Sequence, residues 1–267
     1  MKRNIKSLFE PLLGNFGAFA CALTDRDRVE SLIKSMHPFV SKKALIRLGP
    51  KTDGGYLIPE DLDGITSCFS PGVSQESGFE YECAERGMRV FLADKSVDGP
   101  ATAHPNFHFT KKFLGVLTDE NFMTLDTWVA DCEQDSKSDL LLQIDIEGFE
   151  YEVILGMSDS LLQRFRIIVA EFHSLHQLWN APFFGLAEKA FRKILQSHAC
   201  VHIHPNNCCG STKRFGIEIP RVMEFTFQRR DRLRCQGYQT RFPNSQDFEN
   251  TANPPLALPR CWYKQGV

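Results

Sequence analysis

Three carboxylates and one glycine follow directly on an apolar run in the stretch LQIDIEGFE, from Leu142 to Glu150. Asp145 and Glu147 alternate along the chain, so they share one side of the strand if the chain stays extended. Gly148 permits a turn, and Glu150 is placed to begin a helix with a favourable charge. Unpaired carboxylates at a buried strand end are costly unless a cation meets them. Asp145 and Glu147 therefore predict a ligand ammonium group or a metal ion here.

Two other apolar runs end in ionisable side chains of similar types. RIIVAEFH ends with Glu171 and His173 on one side, and CVHIHPN ends with His202 and His204 on one side. Ligands of open α/β sheets bind at the edge where the carboxyl ends of parallel strands meet. Asp145, His173 and His204 are therefore candidate catalytic residues at one rim. They are also a hypothetical ligand set for a divalent ion, and imidazole and carboxylate would suit Mg²⁺, Mn²⁺ or Zn²⁺.

A glycine and an acid follow the first two predicted strands. Gly72, in FSPGVSQESGFE, lets the backbone approach a ligand at the amino terminus of the next helix. Asp94 ends RVFLAD about 20 residues later, the spacing of an acid that accepts hydrogen bonds from a ribose diol. The pair indicates a nucleoside ligand. GVSQESG is not GxGxxG, however, which disfavours a dinucleotide.

A mostly parallel sheet is needed to bring these residues together. Strands one to seven are predicted at ITSCFS, MRVFLAD, NFHFT, DLLLQIDIE, RIIVAEFH, CVHIHPN and IPRVMEFTFQR. Helices are predicted at GFEYECAERG, ended by Gly87, at TLDTWVADCEQ, capped by Thr124, from Glu150 to Met157, and over FFGLAEKAFRKILQSH. No helix separates strands six and seven, so these two should be antiparallel. The alternation predicts an α/β fold with helices on both faces of the sheet.

The flanking segments differ in composition from this central part. We expect a helical lead-in over residues 1–44, a central domain over 45–233 and an extended, proline-containing tail over 234–267. The lead-in contains TDRDRVESLIKSM, which predicts a helix with Thr24 and Asp27 as its capping box. LIRLGPKTDGGYLIPEDLDG, at the start of the central domain, is rich in glycine and proline and predicts a loop.

Composition limits the class of partner. The 267 residues are 42% hydrophobic and 24% charged, which suits a globular domain with extensions. A net charge of −2 gives no basic field for nucleic acid or an acidic membrane. No stretch reaches the roughly 18 to 20 apolar residues of a membrane span. Nine scattered cysteines without a CxxC pair favour reduced thiols, so we expect a cytoplasmic protein with a small-molecule or glycan partner.

The segments DGGY, FSPGVSQESGFE, RVFLAD, TLDTW, LLQIDIEGFEYEVI and IVAEFH, in this order, resemble the FkbM-type S-adenosylmethionine-dependent methyltransferases. The resemblance covers roughly residues 45–230 and implies a Rossmann-like class I methyltransferase fold, with sheet order 3-2-1-4-5-7-6 and strand seven reversed. It implies S-adenosylmethionine as the cofactor, with adenine near Phe109. The implied cofactor-binding residues are Asp53, Gly54, Gly55, Tyr56, Gly72, Val73, Glu80, Asp94, Lys95 and Asp145. The chain has Ser70 and Pro71 where the family usually carries an acid.

The resemblance also implies transfer of a methyl group to a hydroxyl of a sugar, a glycan or a glycosylated natural product. An in-line displacement of this kind needs a group that removes the hydroxyl proton. His173 is the first candidate for this base and His204 the second, with Asp145 facing the methionine ammonium or the reaction centre. A metal ion that acidifies the hydroxyl is the alternative.

Other interpretations stay open at this point. Trp179, Phe183 and Phe184 are either an aromatic platform for a sugar ring or core packing. A methyltransferase fold without activity is consistent with the altered first motif. An NAD(P)-dependent oxidoreductase would share the alternating fold and the ribose acid, but GVSQESG lacks its glycine spacing.

Overall fold

A computed structural model describes residues 20–73, 76–233 and 237–266 of the chain. The first 19 residues of the predicted lead-in therefore lie outside the described residues. The helices are α1 (Arg26–Ser35), α2 (Gly78–Glu85), α3 (Leu125–Cys132), α4 (Glu150–Gly156), α5 (Asp159–Leu162) and α6 (Ala181–Ser197). Short 3₁₀ turns cover Leu175–Trp179, Arg230–Arg232 and Arg260–Trp262.

Seven strands form the central sheet. They are β1 (Ile65–Pro71), β2 (Arg89–Ala93), β3 (Phe107–Thr110), β4 (Asp139–Ile144), β5 (Phe165–Phe172), β6 (His198–Pro205) and β7 (Met223–Arg229). Their order across the sheet is β3-β2-β1-β4-β5-β7-β6. β7 pairs antiparallel with both β5 and β6, and the other neighbouring strands pair parallel. The predicted α/β class and the antiparallel pairing of the last two strands are confirmed.

Three short two-stranded sheets lie outside the central sheet. Leu45–Leu48 pairs with Tyr56–Pro59, Phe113–Leu114 with Phe122–Met123, and Ser211–Arg214 with Ile217–Pro220. The first of these corrects the expectation of a loop in LIRLGPKTDGGYLIPEDLDG. Its strands have only four residues each, and the glycines between them form the turn.

Side-chain alternation along the strands divides the core between the two faces of the sheet. On one face Phe69, Phe172 and Phe225 are fully buried in the larger core, which α3, α4 and α6 cover. On the other face Cys68 and Val169 belong to a smaller core beneath α2 and the hairpin at residues 45–59. Because successive side chains of a strand point to opposite faces, residues that neighbour the large aromatics project towards the second face.

The helix ends follow the predicted signals in two of three cases. Thr124 caps α3 by accepting a hydrogen bond from the Thr127 amide, and α2 ends just before Gly87, whose φ is +84°. The expected capping box of α1 is wrong, because Asp25 is the cap. Its carboxylate accepts hydrogen bonds from the Asp27 and Arg28 amides.

The carboxyl-terminal segment 237–266 packs against the rest of the chain. Trp262 is fully buried in the larger core, and its Nε1 donates a hydrogen bond to the Glu218 carbonyl at 3.0 Å. The Tyr238 ring stacks on Phe39 with centroids 4.4 Å apart. The domain boundaries stay predictions. No helix in the described part of the chain combines the length and the apolar character needed to span a membrane.

Candidate active site

The ends of β1, β2 and β4 converge at Gly72. The Gly72 amide donates to the Ala93 carbonyl at 3.0 Å, and the Asp145 amide donates to the Pro71 carbonyl at 3.4 Å. A Cβ atom on residue 72 would lie 1.5 Å from the Asp145 carbonyl oxygen, and the φ of Gly72 is +92°. Only glycine fits there, so its predicted importance has a structural basis in the contact between two strand ends. Residues 74 and 75 of the same predicted loop lie outside the described residues.

Asp94 follows β2 directly and is half-buried. Its Oδ1 accepts hydrogen bonds from the Ser96 amide at 2.7 Å and the Ser96 hydroxyl at 2.6 Å. One carboxylate oxygen therefore holds the turn and the other stays available to a ligand. Lys95 is half-buried in this turn, and Phe109 is half-buried on the neighbouring β3.

A buried polar network lies beneath the Gly72 loop. Ser70 Oγ is 2.5 Å from Glu80 Oε1 and 2.6 Å from Gln143 Oε1, and Gln143 Nε2 donates to the Tyr56 hydroxyl at 3.3 Å. Burial raises the pKa of Glu80, although the hydrogen bond with Ser70 opposes this effect. Helix α2 thus brings a carboxyl group to the strand position where this chain has serine in place of the expected acid.

The DGGY segment forms the turn and the second strand of the amino-terminal hairpin. A Cβ atom on Gly55 would lie 2.0 Å from the Pro50 carbonyl oxygen, so the turn itself requires this glycine. Gly54 has a φ of +77°. Asp53 Oδ1 accepts a hydrogen bond from Asn250 Nδ2 at 3.0 Å, and the Asp53 amide donates to the Asn250 carbonyl at 3.2 Å. The carboxyl-terminal segment therefore holds this turn in place.

Four carboxylates surround His173 at the end of β5. Its Nε2 lies 3.4 Å from Glu147 Oε2, 3.7 Å from Glu171 Oε1 and 3.9 Å from Asp145 Oδ1. Its Nδ1 lies 3.1 Å from Glu150 Oε1. Ligand atoms of Asp145, Glu171 and His173 all fall within 4.8 Å of one another. The structure thus brings together the ends of β4 and β5, as the sequence predicted for Asp145 and His173.

Glu150 has a second role that sequence reasoning missed. It begins α4 as expected, but it is fully buried, and its Oε1 also accepts hydrogen bonds from the Ile146 and Gly148 amides at 3.1 and 3.0 Å. Glu147 has a φ of +57° and an exposed side chain. The chain therefore turns at residues 147 and 148 instead of staying extended, and Glu150 fixes both this turn and the His173 ring.

Burial shifts the pKa values of the ionisable side chains around His173. It raises the pKa of Asp145 to about 7, although the charge of His173 acts in the opposite direction. It raises the pKa of Glu171 well above its usual range, and the charge of Asp145 adds to this effect. Burial would lower the pKa of His173, but the hydrogen bond with Glu150 and the nearby carboxylates raise it overall. A cation from outside the chain would favour the ionised form of both acids.

The third predicted member of this set, His204, lies elsewhere. Glu224 on β7 is opposite Glu171, and His204 on β6 is opposite Glu224, so β7 separates His204 from β5. Two strand spacings correspond to about 10 Å. His204 Nδ1 instead lies 3.8 Å from Asp247 Oδ2, and His202 Nε2 is 2.8 Å from Asp247 Oδ1. The structure therefore corrects the predicted ligand set: Glu171 lies with Asp145 and His173, and His204 does not.

The aromatic residues after β5 are part of the core. Phe184 is fully buried and Trp179 is 4% exposed. Phe183 is half-buried and packs edge-on against Tyr151 at 5.1 Å. The alternative of an aromatic platform for a sugar ring is therefore wrong for Trp179 and Phe184, and the packing interpretation is correct.

A doubly wound sheet with a reversed β7 and a polar site at the carboxyl ends of β1, β2, β4 and β5 defines a Rossmann-like class I methyltransferase fold. The chain belongs to the methyltransferase FkbM domain family, whose model matches residues 67–201, just over half of the sequence. This family implies S-adenosylmethionine as the cofactor. No curated protein matches the chain in sequence.

The solved structures that match this chain are distant from it in sequence. A protein described as a prophage-encoded DNA modification methyltransferase of E. coli is 11% identical, with a TM-score of 0.40 over 62% of this chain and 47% of that chain. The N-methyltransferase NodS of Bradyrhizobium japonicum is 10% identical, with a TM-score of 0.33 over 76% of this chain and 95% of that chain. The match spans about half the length of the first protein.

Proposed function

We propose that the protein transfers a methyl group from S-adenosylmethionine to a hydroxyl of a sugar or of a sugar-bearing small molecule. The observation that carries this proposal is the convergence of Gly72, Asp94 and Asp145 at one edge of the sheet, in a chain of the FkbM family. These residues stand at the ends of β1, β2 and β4, where open α/β sheets bind their ligands.

The residues at this edge fit the cofactor. Asp94 retains one carboxylate oxygen outside its turn, which suits a ribose hydroxyl. The Asp145 side chain is 26% exposed and, within the described part of the chain, forms no ion pair with lysine or arginine, which suits the methionine ammonium. Gly72 and Val73 would lie against the methionine part. The bound cofactor would supply a methyl group activated on a sulfonium sulfur.

The group at the ends of β4 and β5 supports removal of the acceptor proton. An alcohol is too weak an acid to ionise unaided at neutral pH, so the enzyme must supply a base or a metal ion. In one version of this proposal, His173 is the base that removes the proton. In the other, a divalent ion near Asp145 and His173 acidifies the hydroxyl. Both versions place the acceptor hydroxyl beside His173 Nε2, which faces the carboxylates.

Binding of S-adenosylmethionine is the first test. We expect S-adenosylmethionine and S-adenosylhomocysteine to raise the melting temperature, because both would bind only the folded protein. Replacing Asp94 with alanine removes hydrogen bonds to a charged group worth about 1.5–3 kcal/mol, or a roughly 10- to 100-fold loss of affinity by calorimetry. Asp98→Ala is the matched control, because Asp98 is an exposed aspartate in the same segment that pairs with Lys111.

A melting temperature unchanged by either ligand would refute the proposed activity, and a shift with NADH instead would favour the oxidoreductase. Transfer of a labelled methyl group tests the acceptor. We expect a methyl ether on sugar-bearing small molecules. Label found only on nitrogen, or only on nucleic acid, would refute the acceptor class while leaving methyl transfer intact.

A further inference from the structure

We propose that Asp145, Glu171 and His173 bind one divalent metal ion, and that this ion holds the acceptor hydroxyl. The role of the ion in methyl transfer rests on the proposed function, whereas its binding does not. Glu171 replaces the predicted ligand His204, because β5 carries Glu171 to the same sheet edge as His173. The set joins one imidazole nitrogen to carboxylate oxygens from two strands, a combination that suits Mg²⁺, Mn²⁺ or Zn²⁺.

The spacing around His173 Nε2 is that of ligands around an ion. The 3.7 Å to Glu171 Oε1 and 3.9 Å to Asp145 Oδ1 are too long for hydrogen bonds. Two ligand atoms that each lie about 2.1 Å from a common ion are separated by about 3–4 Å for ordinary ligand–metal–ligand angles. The two separations from His173 Nε2 fall in this range, and the ligand atoms of all three residues lie within 4.8 Å of one another.

The surroundings of the ligands are those that metal sites use to orient them. His173 Nδ1 faces the buried Glu150 Oε1 at 3.1 Å, which directs Nε2 towards Asp145 and Glu171. A ligating histidine almost always uses its other ring nitrogen in this way. Asn206 Nδ2 donates to Glu171 Oε1 at 3.0 Å and fixes that carboxylate. Glu150 and Asn206 are therefore positioning residues.

Buried oxygens without partners indicate that something is bound here. The Glu171 side chain is 5% exposed, and its Oε2 is buried without a hydrogen bond from the described residues. Asp145 Oδ1 is likewise a buried oxygen without a hydrogen bond from the described residues. Leaving such oxygens unpaired is costly, and more so when they are charged. In the described parts of the chain, no lysine or arginine pairs with either carboxylate. The methionine ammonium proposed above would meet only Asp145, whereas a metal ion would meet both carboxylates.

The chemistry of this arrangement is balanced. A divalent ion lowers the pKa of a hydroxyl bound to it, so that the proton leaves to water. The oxygen then forms a bond to the methyl carbon, the carbon–sulfur bond breaks, and the sulfur retains the electron pair. His173 holds the ion in this scheme and is not the free base, which agrees with its fixed ring.

Binding of Mn²⁺ and Zn²⁺ to the full-length protein tests the inference directly. After EDTA treatment and dialysis, Mn²⁺ is titrated by electron paramagnetic resonance and Zn²⁺ by calorimetry. We expect one site per chain. Glu171→Gln and His173→Gln, which keep the side-chain size close to the original, should weaken binding at least tenfold. Glu150→Gln should weaken it about 10- to 100-fold through the orientation of His173.

His104→Gln is the matched control, since the partly buried His104 also pairs with a glutamate, the exposed Glu85, at 3.0 Å, and neither belongs to the proposed ligand set. It should bind both ions as the unaltered protein does. Absence of metal binding by the unaltered protein would overturn the proposal. So would binding by Glu171→Gln and His173→Gln that is as tight as in the unaltered protein, when circular dichroism shows that both variants are folded. The melting temperature with S-adenosylmethionine in EDTA distinguishes failure of the metal site from failure of the proposed function. A raised melting temperature in a protein that binds no metal would refute only the metal site. Metal binding by a protein whose melting temperature is unchanged would refute only the proposed function.

Discussion

Replacing Gly72 with alanine should damage both the stability and the cofactor site. The new Cβ would lie 1.5 Å from the Asp145 carbonyl oxygen, whereas real contacts are at least 3.0 Å. The ends of β1 and β4 must therefore separate by about 1.5 Å. Left-handed backbone costs alanine about 1–2 kcal/mol. The separation also endangers the hydrogen bonds Gly72–Ala93 and Asp145–Pro71, each worth about 0.5–1.5 kcal/mol.

These contributions predict that Gly72→Ala loses about 2–5 kcal/mol of unfolding free energy. Gly87→Ala is the matched control, because Gly87 has a φ of +84° and nothing lies within 4 Å of its Cβ position. It should lose only the backbone strain, about 1–2 kcal/mol. Urea denaturation measures both values. Calorimetry should show an affinity for S-adenosylmethionine at least tenfold lower in Gly72→Ala, since about 1.4 kcal/mol of lost binding suffices for that.

Equal losses of unfolding free energy in Gly72→Ala and Gly87→Ala would refute the reasoning about strand contact. The strain of the left-handed backbone would then account for the whole loss in both variants. Unchanged cofactor affinity in a folded Gly72→Ala protein would refute the location of the cofactor site at this loop. A selective loss of affinity in Gly72→Ala, with Gly87→Ala unaffected, is the expected result.

Two further predictions concern the fold. His198 is fully buried, and burial lowers its pKa from 6.5 to about 4, so the unfolded chain binds the proton first as the pH falls. Stability should therefore decline by up to about 3 kcal/mol between pH 6.5 and 4, and His198→Gln should flatten this decline in urea titrations. Trp262→Ala should cost about 3–5 kcal/mol, whereas the half-buried Tyr263→Ala should cost clearly less. Equal losses for the last two variants would contradict an anchoring role for Trp262.

The strands of the central sheet are predictable because each is a continuous apolar run between turn residues. Both faces of β4 and β5 are buried, and this demands the unbroken hydrophobic segments that the sequence shows. The hairpin at residues 45–59 is not predictable in this way. Its strands are four residues long, and its glycines indicate a turn without indicating that the flanking residues pair.

Some residues of the candidate site are likewise predictable from the sequence, and others are not. Asp145 and His173 are found from the sequence because each lies at the end of a strand whose position in the sheet follows from its apolar run. Alternation places Glu171 on the same side of β5 as His173 but does not rank the two residues, so the sequence does not predict Glu171 as a ligand. The prediction that His204 lies with Asp145 and His173 is wrong, because β7 lies between β6 and β5 in the sheet.

The α/β class, the places where strands end and the kinds of groups found there follow from the sequence, because they depend on local patterns of burial and turn chemistry. Which of these groups meet depends on the tertiary structure. Glu150 reaches His173 across 23 residues of chain. Asn250 bridges Asp53 and Glu224 from the carboxyl-terminal segment. Such contacts depend on strand order and on packing between distant segments, and no periodicity along the chain records them.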